Sequence, residues 1–161
     1  MLGIEEGTVH LDLSNRKLDP AYVRLLAVEL ESSRATAGVA RVDLSGNGLS
    51  GGSWNKYSKT WSNGDSNLDG ITALSSALPS SKIKELIISN CTLGPKSIAI
   101  VASSLATAGV VKVDISGNRL MGLDEYGRGT PDHAGWEALC EVLPKSAIKS
   151  FKAAECSRLA T

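Results

Sequence analysis

The sequence predicts an α/β fold in which five short parallel strands alternate with four helices and wind into a right-handed solenoid, a short horseshoe arc. An eleven-residue pattern recurs along the chain, most clearly as VARVDLSGNGL at 39–49, IKELIISNCTL at 83–93 and VVKVDISGNRL at 110–120. Amphipathic helix patterns fill the spaces between these copies. A strand, a crossover helix and a parallel strand connect with a right-handed turn, so repeating this unit coils the chain in one direction.

Each copy of the pattern is predicted to be a strand that runs into a turn. In the clearest copy Val39, Val42 and Leu44 face the core, Asn47 turns the chain and Leu49 returns to the core. Strands stack at about 4.8 Å, whereas packed helices need about 8–10 Å. We therefore expect the sheet to line the inner, concave side of the arc and the helices to lie outside.

The spacing of the copies predicts two insertions. With two looser copies included, the pattern starts at positions 8, 39, 83, 110 and 148, at intervals of 31, 44, 27 and 38 residues. The two longest gaps hold segments 51–67 and 121–133, which we interpret as insertions leaving the same edge of the sheet. A longer period is also present, because 35–49 matches 106–120 at 11 of 15 positions, 71 residues apart. The whole chain, 1–161, is expected to form a single domain.

Proline marks the start of two predicted helices. Pro20 and Pro95 stand where the first helical turn has no need of an amide hydrogen. Behind each of them, apolar residues recur at helical spacing, and these residues are Val23, Leu26, Ala27 and Leu30 in one helix and Ile98, Val101, Ala102 and Leu105 in the other.

The other two helices are related to each other in sequence. GITALSSALP at 70–79 matches GWEALCEVLP at 135–144, so Trp136 occupies the position of Ile71 and is expected in the core. Asp69 is predicted to be the N-cap of the first of these helices.

The turn residues carry a resemblance to a known family. Asn47 and Asn118 are expected to hydrogen-bond the backbone of neighbouring turns, and Cys91 and Cys156 stand at the same position as small, buried, unreactive residues. The chain resembles leucine-rich repeat proteins, whose pattern is L-x-x-L-x-L-x-x-N/C-x-L. Its cysteines and helix lengths resemble the ribonuclease-inhibitor type. That resemblance implies a concave sheet that binds a folded protein.

Two surfaces are candidates for partner binding. Strand residues beside the core positions are expected on the open face of the sheet, in one row through Arg41, Glu85 and Lys112 and in another through Asp43, Ile87 and Asp114. On two of these strands a basic residue stands beside an acidic one, as in Arg41/Asp43 and Lys112/Asp114. The face could therefore be a protein-binding surface, or only a solvated ladder of weak ion pairs.

The insertions form the second candidate surface. The first contains Trp54, Tyr57 and Trp61, three of the seven aromatic residues, among glycine, serine and asparagine, and we expect it to lack regular structure. The second contributes Tyr126 and Arg128, and both insertions are predicted to form one continuous rim. The alternative is that the aromatic rings fold back as a lid and contribute only burial.

Several classes of function are not supported by the residues. Seventeen basic residues balance seventeen acidic ones, which gives no footprint for nucleic acid, and no apolar run is long enough to insert into a membrane. The run from Asp65 to Gly70 spells the start of a calcium loop, but its twelfth position is Ser76 rather than glutamate. His10, Asp12 and Ser14 project in parallel from one strand and cannot form a hydrolytic triad. We predict no metal, no cofactor and no catalytic activity.

The sequence thus favours a non-catalytic protein-interaction module or a scaffold subunit. Three cysteines without metal-ligand spacing indicate a reducing, cytoplasmic setting. Two alternatives stay open. One is a regulator of an enzyme, such as a nuclease inhibitor or a GTPase activator. The other is a structural array that assembles end to end, because neither end of the predicted solenoid shows a capping segment.

Overall fold

A five-stranded parallel sheet organises the chain. The computed structural model describes residues 4–32, 36–58, 60–124 and 126–156. The strands of the sheet, in spatial order, are β1 (His10–Asp12), β2 (Arg41–Asp43), β5 (Glu85–Ile87), β6 (Lys112–Asp114) and β7 (Ser150–Lys152). Two further strands, β3 (Ser53–Asn55) and β4 (Thr60–Ser62), form a separate antiparallel hairpin. The predicted α/β class with five parallel strands is confirmed.

Four helices connect the strands of this sheet. They are α1 (Pro20–Ser32), α2 (Asp69–Ala77), α3 (Pro95–Leu105) and α4 (Ala134–Val142). One-turn 3-10 helices, Leu78–Ser80 and Leu143–Lys145, follow α2 and α4. Each helix packs against the next, α1 on α2, α2 on α3 and α3 on α4. Pro20 and Pro95 open their helices as predicted.

The register of the sheet confirms the two predicted rows of side chains. The central residue of each strand faces the hydrophobic core, which includes Leu11, Val42, Leu86 and Val113, with Phe151 packed against it. The flanking residues align across all five strands on the other face. One row is His10, Arg41, Glu85, Lys112 and Ser150, and the other is Asp12, Asp43, Ile87, Asp114 and Lys152.

The two turn asparagines join neighbouring units, as the sequence predicted. Asn47 is fully buried; its Nδ2 donates to the carbonyl oxygens of Leu13 and Leu44, and its Oδ1 accepts from the N–H groups of Arg16 and Leu18. These four bonds are 2.8–3.0 Å long. A buried backbone group without a partner would be costly. The Asn47 side chain therefore provides hydrogen-bond partners for main-chain groups of two turns.

Asn118 repeats this arrangement one unit pair later. Its Nδ2 donates to Ile88 and Ile115, and its Oδ1 accepts from Cys91 and Leu93, at 2.7–3.0 Å.

Cysteine replaces asparagine in the two alternate turns. Cys91 and Cys156 are buried, and their Sγ atoms donate to Leu44 and Ile115 at 3.3 and 3.1 Å. Burial raises the pKa of Cys91 to about 12 and also raises the pKa of Cys156. Both thiols are thus held protonated inside the structure, consistent with the predicted packing role.

Regular structure in the first insertion corrects one expectation. Segment 51–67 was expected to lack it, but 53–62 is a hairpin in which Trp54 and Trp61 are cross-strand partners. The two tryptophans, seven positions apart, thus stand opposite each other on the two strands.

Two expectations about the related helices are also wrong. Trp136 is 42% exposed, whereas Ile71 is buried, because α3 covers α2 and among the described residues no further helix covers α4. Asp69 is the first residue of α2 rather than its N-cap. The side chain of Asn67 instead accepts a hydrogen bond from the Asp69 N–H at 3.0 Å.

Candidate functional site

The tip of the hairpin presents an exposed tyrosine. Asn55 folds the tip, because its Oδ1 accepts hydrogen bonds from the N–H groups of Tyr57 and Ser58 at 2.9 and 3.1 Å. Tyr57 is 85% exposed, and the Nζ of Lys56 lies 5.0 Å from the centre of its ring. An ordered turn thus holds an aromatic ring and a cation in solvent.

The strands of the hairpin are held closer to the rest of the chain. Trp54 is half-buried, and the Nζ of Lys17, in the turn between β1 and α1, lies 5.4 Å from the centre of its ring. The backbone of Trp61 pairs with that of Trp54, and the side chain of Trp61 lies outside the described part of the structure. Of the three predicted aromatic contacts in this insertion, Tyr57 is the one that the structure shows to be freely exposed.

The end of the first insertion is fixed to α3 by a carboxylate. Asp65 accepts hydrogen bonds from the N–H groups of Gly94 and Lys96 at 3.0 and 2.9 Å, and from the N–H and hydroxyl of Ser97. Its own N–H donates to the Oγ of Ser50 at 3.1 Å. These donors include the first amides of α3, which have no partner within the helix. Asp65 is therefore a remote cap of α3, a role that sequence reasoning missed.

The second insertion presents a second exposed tyrosine. Tyr126 is 72% exposed, and the guanidinium of Arg128 lies 4.7 Å from the centre of its ring. Asp124 shapes this turn, because its carboxylate accepts from the N–H groups of Tyr126 and Arg128 and from the Arg128 Nε, all at 2.8–2.9 Å. The hydrogen bond from the Arg128 N–H is the main cause that lowers the pKa of Asp124. The turn thus holds the Arg128 guanidinium against the ring of Tyr126.

The stems of both insertions meet at the first turn of α3. Asp65 binds its amides, and Gly122 lies against the ring of Pro95, close enough that an added Cβ would stand 3.2 Å from its Cγ. Both insertions are thus attached to the same helical turn. A continuous rim joining Tyr57 to Tyr126 stays a prediction.

Two charged residues on the open face of the sheet form an ion pair with each other. Arg41 forms an ion pair with Glu85 on the neighbouring strand, with 3.7 Å between the Arg41 NH1 and Glu85 Oε1 atoms. Ile87 is half-buried beside these charges, and Lys112 is exposed. The six predicted face residues are therefore all at the surface, and Arg41 and Glu85 already bind each other.

Aspartates at three strand ends also stabilise the turns that follow the strands. Asp12, Asp43 and Asp114 each accept a hydrogen bond from the N–H two residues ahead, at 2.9–3.0 Å. The signal was present in the sequence as Asp-x-Ser repeated at three strand ends. At Asp12, the hydrogen bond from the Ser14 N–H is the main cause of a lowered pKa. Each of these side chains thus fixes the turn at the end of its strand, beside the open face.

A shallow depression on the open face is lined by His10, Leu11, Asp12, Arg41 and Asp43. Within 4–32, 36–58, 60–124 and 126–156, no group of three or more histidine, cysteine, aspartate or glutamate side chains is placed to hold a metal ion. In the same residues, no helix combines the length and the apolar character that crossing a membrane requires.

Two comparisons with known proteins gave no match. No model of a protein family matches the chain, and no curated protein matches it either. The assignment of function therefore depends on the residues themselves.

Proposed function

We propose that the chain is a leucine-rich repeat protein of the ribonuclease-inhibitor type that acts, without catalysis, as a binding module for a folded partner protein. Its strand–helix units would form a right-handed solenoid, with the open sheet face on the concave side. The bridging bonds of Asn47 and Asn118 support this proposal, because they occupy the N/C position of the repeat pattern and join consecutive turns.

The observation that carries the binding role is the pair of exposed tyrosines on ordered insertions. Tyr57 and Tyr126 are 85% and 72% exposed, yet the turns that hold them are fixed by the side chains of Asn55 and Asp124. Tyrosine and arginine are enriched among residues that dominate binding energy. A rigid turn also reduces the conformational entropy that binding would remove.

Charge on the open face supports a polar, folded partner. Lys112 is exposed, Asp43 and Asp114 lie at the strand ends, and Arg41 and Glu85 form a partly exposed ion pair. Such pairs contribute little stability on their own, so a partner can replace them at low cost. The face would then set orientation, and the tyrosines and Arg128 would provide most of the affinity.

A capture experiment with a matched control tests the proposal. The native chain, Tyr57→Ser/Tyr126→Ser and Leu25→Ser/Val28→Ser would be immobilised and exposed to lysate from source cells, and bound proteins would be quantified. Leu25 and Val28, each 59% exposed on α1, make the control because they lie outside both candidate surfaces.

The expected result is a partner bound by the native chain and by the control but lost with the tyrosine variant. Removing a hot-spot residue costs about 2 kcal/mol, or about thirtyfold in affinity. A partner retained equally by all three proteins would contradict the assignment of the tyrosines to the site.

A further inference from the structure

Two lysines at the first insertion lie over aromatic rings. The Nζ of Lys17 is 5.4 Å from the centre of the Trp54 ring, and the Nζ of Lys56 is 5.0 Å from the centre of the Tyr57 ring. The face of an aromatic ring attracts a cation, so each lysine is held near a ring although both lysines are exposed. We call the surface formed by Lys17, Trp54, Lys56 and Tyr57 the hairpin patch.

No acidic side chain of the described structure neutralises these two lysines. Among the described residues, no carboxylate forms an ion pair with Lys17 or Lys56. The first insertion, 51–67, contains a single acidic residue, Asp65. Its carboxylate is occupied by hydrogen bonds from the N–H groups at the start of α3. The hairpin patch therefore presents two positive charges to solvent without a counter-charge of its own.

The cation of the second insertion differs in this respect. Arg128 also lies over a ring, that of Tyr126, but its Nε bonds to the carboxylate of Asp124 at 2.9 Å. On the open face of the sheet, Arg41 likewise has an acidic partner in Glu85. The two insertions thus share a ring with a cation, and the second insertion also supplies the balancing negative charge.

Hydrogen bonds fix the backbone around both lysines of the hairpin patch. Lys17 has a φ of 58°, which few residues other than glycine adopt. The N–H groups on either side of it, those of Arg16 and Leu18, donate to the Oδ1 of Asn47 at 3.0 and 2.9 Å. The side chain of Asn55 holds the turn that contains Lys56. Little backbone freedom would therefore be lost when an anion binds between the lysines.

We propose that the hairpin patch binds a short acidic peptide segment, a run of aspartate or glutamate, on the surface of the partner, a role that rests on the proposed binding of a folded protein. The two ammonium groups would pair with side-chain carboxylates, and the hydroxyl of Tyr57 would donate to a further carboxylate oxygen. The half-buried ring of Trp54 would contact aliphatic parts of the segment. The second insertion, whose charge is balanced by Asp124, would not select for acidic residues.

The surroundings of the patch favour a short acidic segment over a nucleic acid. Asp12 and Asp19, which flank Lys17 in the sequence, are both exposed, and the depression that contains Asp12 also contains Asp43. A nucleic acid strand carries a phosphate at every nucleotide and would extend from the patch onto these carboxylates. The lysines also lie over the ring faces on which bases would stack.

Titration with a model peptide tests this preference. An unlabelled short peptide that repeats Glu-Glu-Ser would be added to the nitrogen-15-labelled chain and followed by nuclear magnetic resonance, and the matched peptide repeats Gln-Gln-Ser. We expect amide signals of 16–18 and 53–58 to shift, with a dissociation constant of about 1 mM or lower and at least about tenfold tighter than for the glutamine peptide. Raising NaCl from about 20 to about 200 mM should weaken binding at least about fivefold, because salt screens exposed charges.

Charge variants assign the binding to the patch. Lys17→Gln/Lys56→Gln keeps both rings and is expected to weaken peptide binding at least about tenfold while the circular dichroism stays native. The matched control Lys82→Gln/Lys145→Gln removes the same charge from exposed lysines in the segments that lead into β5 and β7, at the opposite edge of the sheet. That control, and Arg128→Gln in the second insertion, should change the affinity by less than about twofold.

Three outcomes would overturn the proposal. The first is equal binding, or no binding, of the glutamate and glutamine peptides at millimolar concentration. The second is an equal loss of affinity in Lys17→Gln/Lys56→Gln and in the Lys82→Gln/Lys145→Gln control. The third is tighter binding of oligothymidine or of phosphatidylserine vesicles through the same two lysines, because a nucleic acid or a membrane would then be the occupant. The titration uses no captured partner, so its failure and that of the capture experiment are separate results.

Discussion

The carboxylate of Asp65 accepts a 2.9 Å hydrogen bond from the main-chain N–H of Lys96, 31 residues further along the chain. The same side chain binds Gly94 and Ser97, so a residue of the first insertion caps the helix of the next unit. The position of the hairpin and the start of α3 are thereby linked.

Replacement of Asp65 by alanine is expected to destabilise the protein by about 1–2 kcal/mol, because it removes the acceptor for several N–H donors at the start of α3. Urea denaturation would measure the loss. Asp69→Ala is the matched control, since Asp69 is exposed in the first turn of α2 and its contact with Arg24 is 4.0 Å long. Equal losses in the two variants would contradict the assigned cap.

Replacement of Asn47 by alanine is expected to cost at least about 2 kcal/mol, because it leaves buried main-chain groups of two turns without partners. The control is Asn67→Ala, which removes one hydrogen bond at an exposed position. Equilibrium unfolding of both variants would compare them. A loss below about 0.5 kcal/mol for Asn47→Ala would show that the turns do not depend on the bridge.

Sequence patterns predicted the features of this chain that depend on near neighbours. The strand rows and the opening prolines follow from spacings of two to four residues, and the bridging turn asparagines follow from a recurring local pattern. The cap by Asp65 could not be predicted in this way, because its partners lie about thirty residues ahead and come close only after folding.

The exposure of Trp136 shows a second limit of prediction from the sequence. Its match to Ile71 correctly placed both residues on equivalent helices, but burial depends on the neighbouring helix rather than on the residue's own segment. The hairpin shows a third limit of prediction from the sequence. Trp54 and Trp61 pair across a turn that lacks the asparagine–glycine signal by which a hairpin is usually recognised.

Replacement of Trp54 by alanine is expected to loosen the hairpin without unfolding the sheet. Cross-strand pairs contribute about 0.2–1 kcal/mol, and the main core does not include this side chain. Hydrogen exchange in 53–62 should accelerate, while the global free energy of unfolding falls by less than about 1 kcal/mol. A larger global loss would instead support the interpretation of the insertion as a lid.

Alkaline pH is expected to destabilise the protein through Cys91. Its pKa is raised from 9.0 to about 12 because burial disfavours the thiolate. The associated stabilisation is fully present below pH 9 and declines as the pH rises from 9 towards 12, by at most about 1.4 kcal/mol per pH unit. Cys91→Ala should show a shallower decline over that range in urea titrations. Identical pH profiles would exclude this linkage.

Hydrogen exchange of the chain with and without the captured partner tests the binding module most directly. Binding is expected to slow exchange in the hairpin 53–62 and in 121–130, together with peptides from the strands of the open face. Slower exchange confined to α1–α4, with both insertions unchanged, would contradict the proposed binding site.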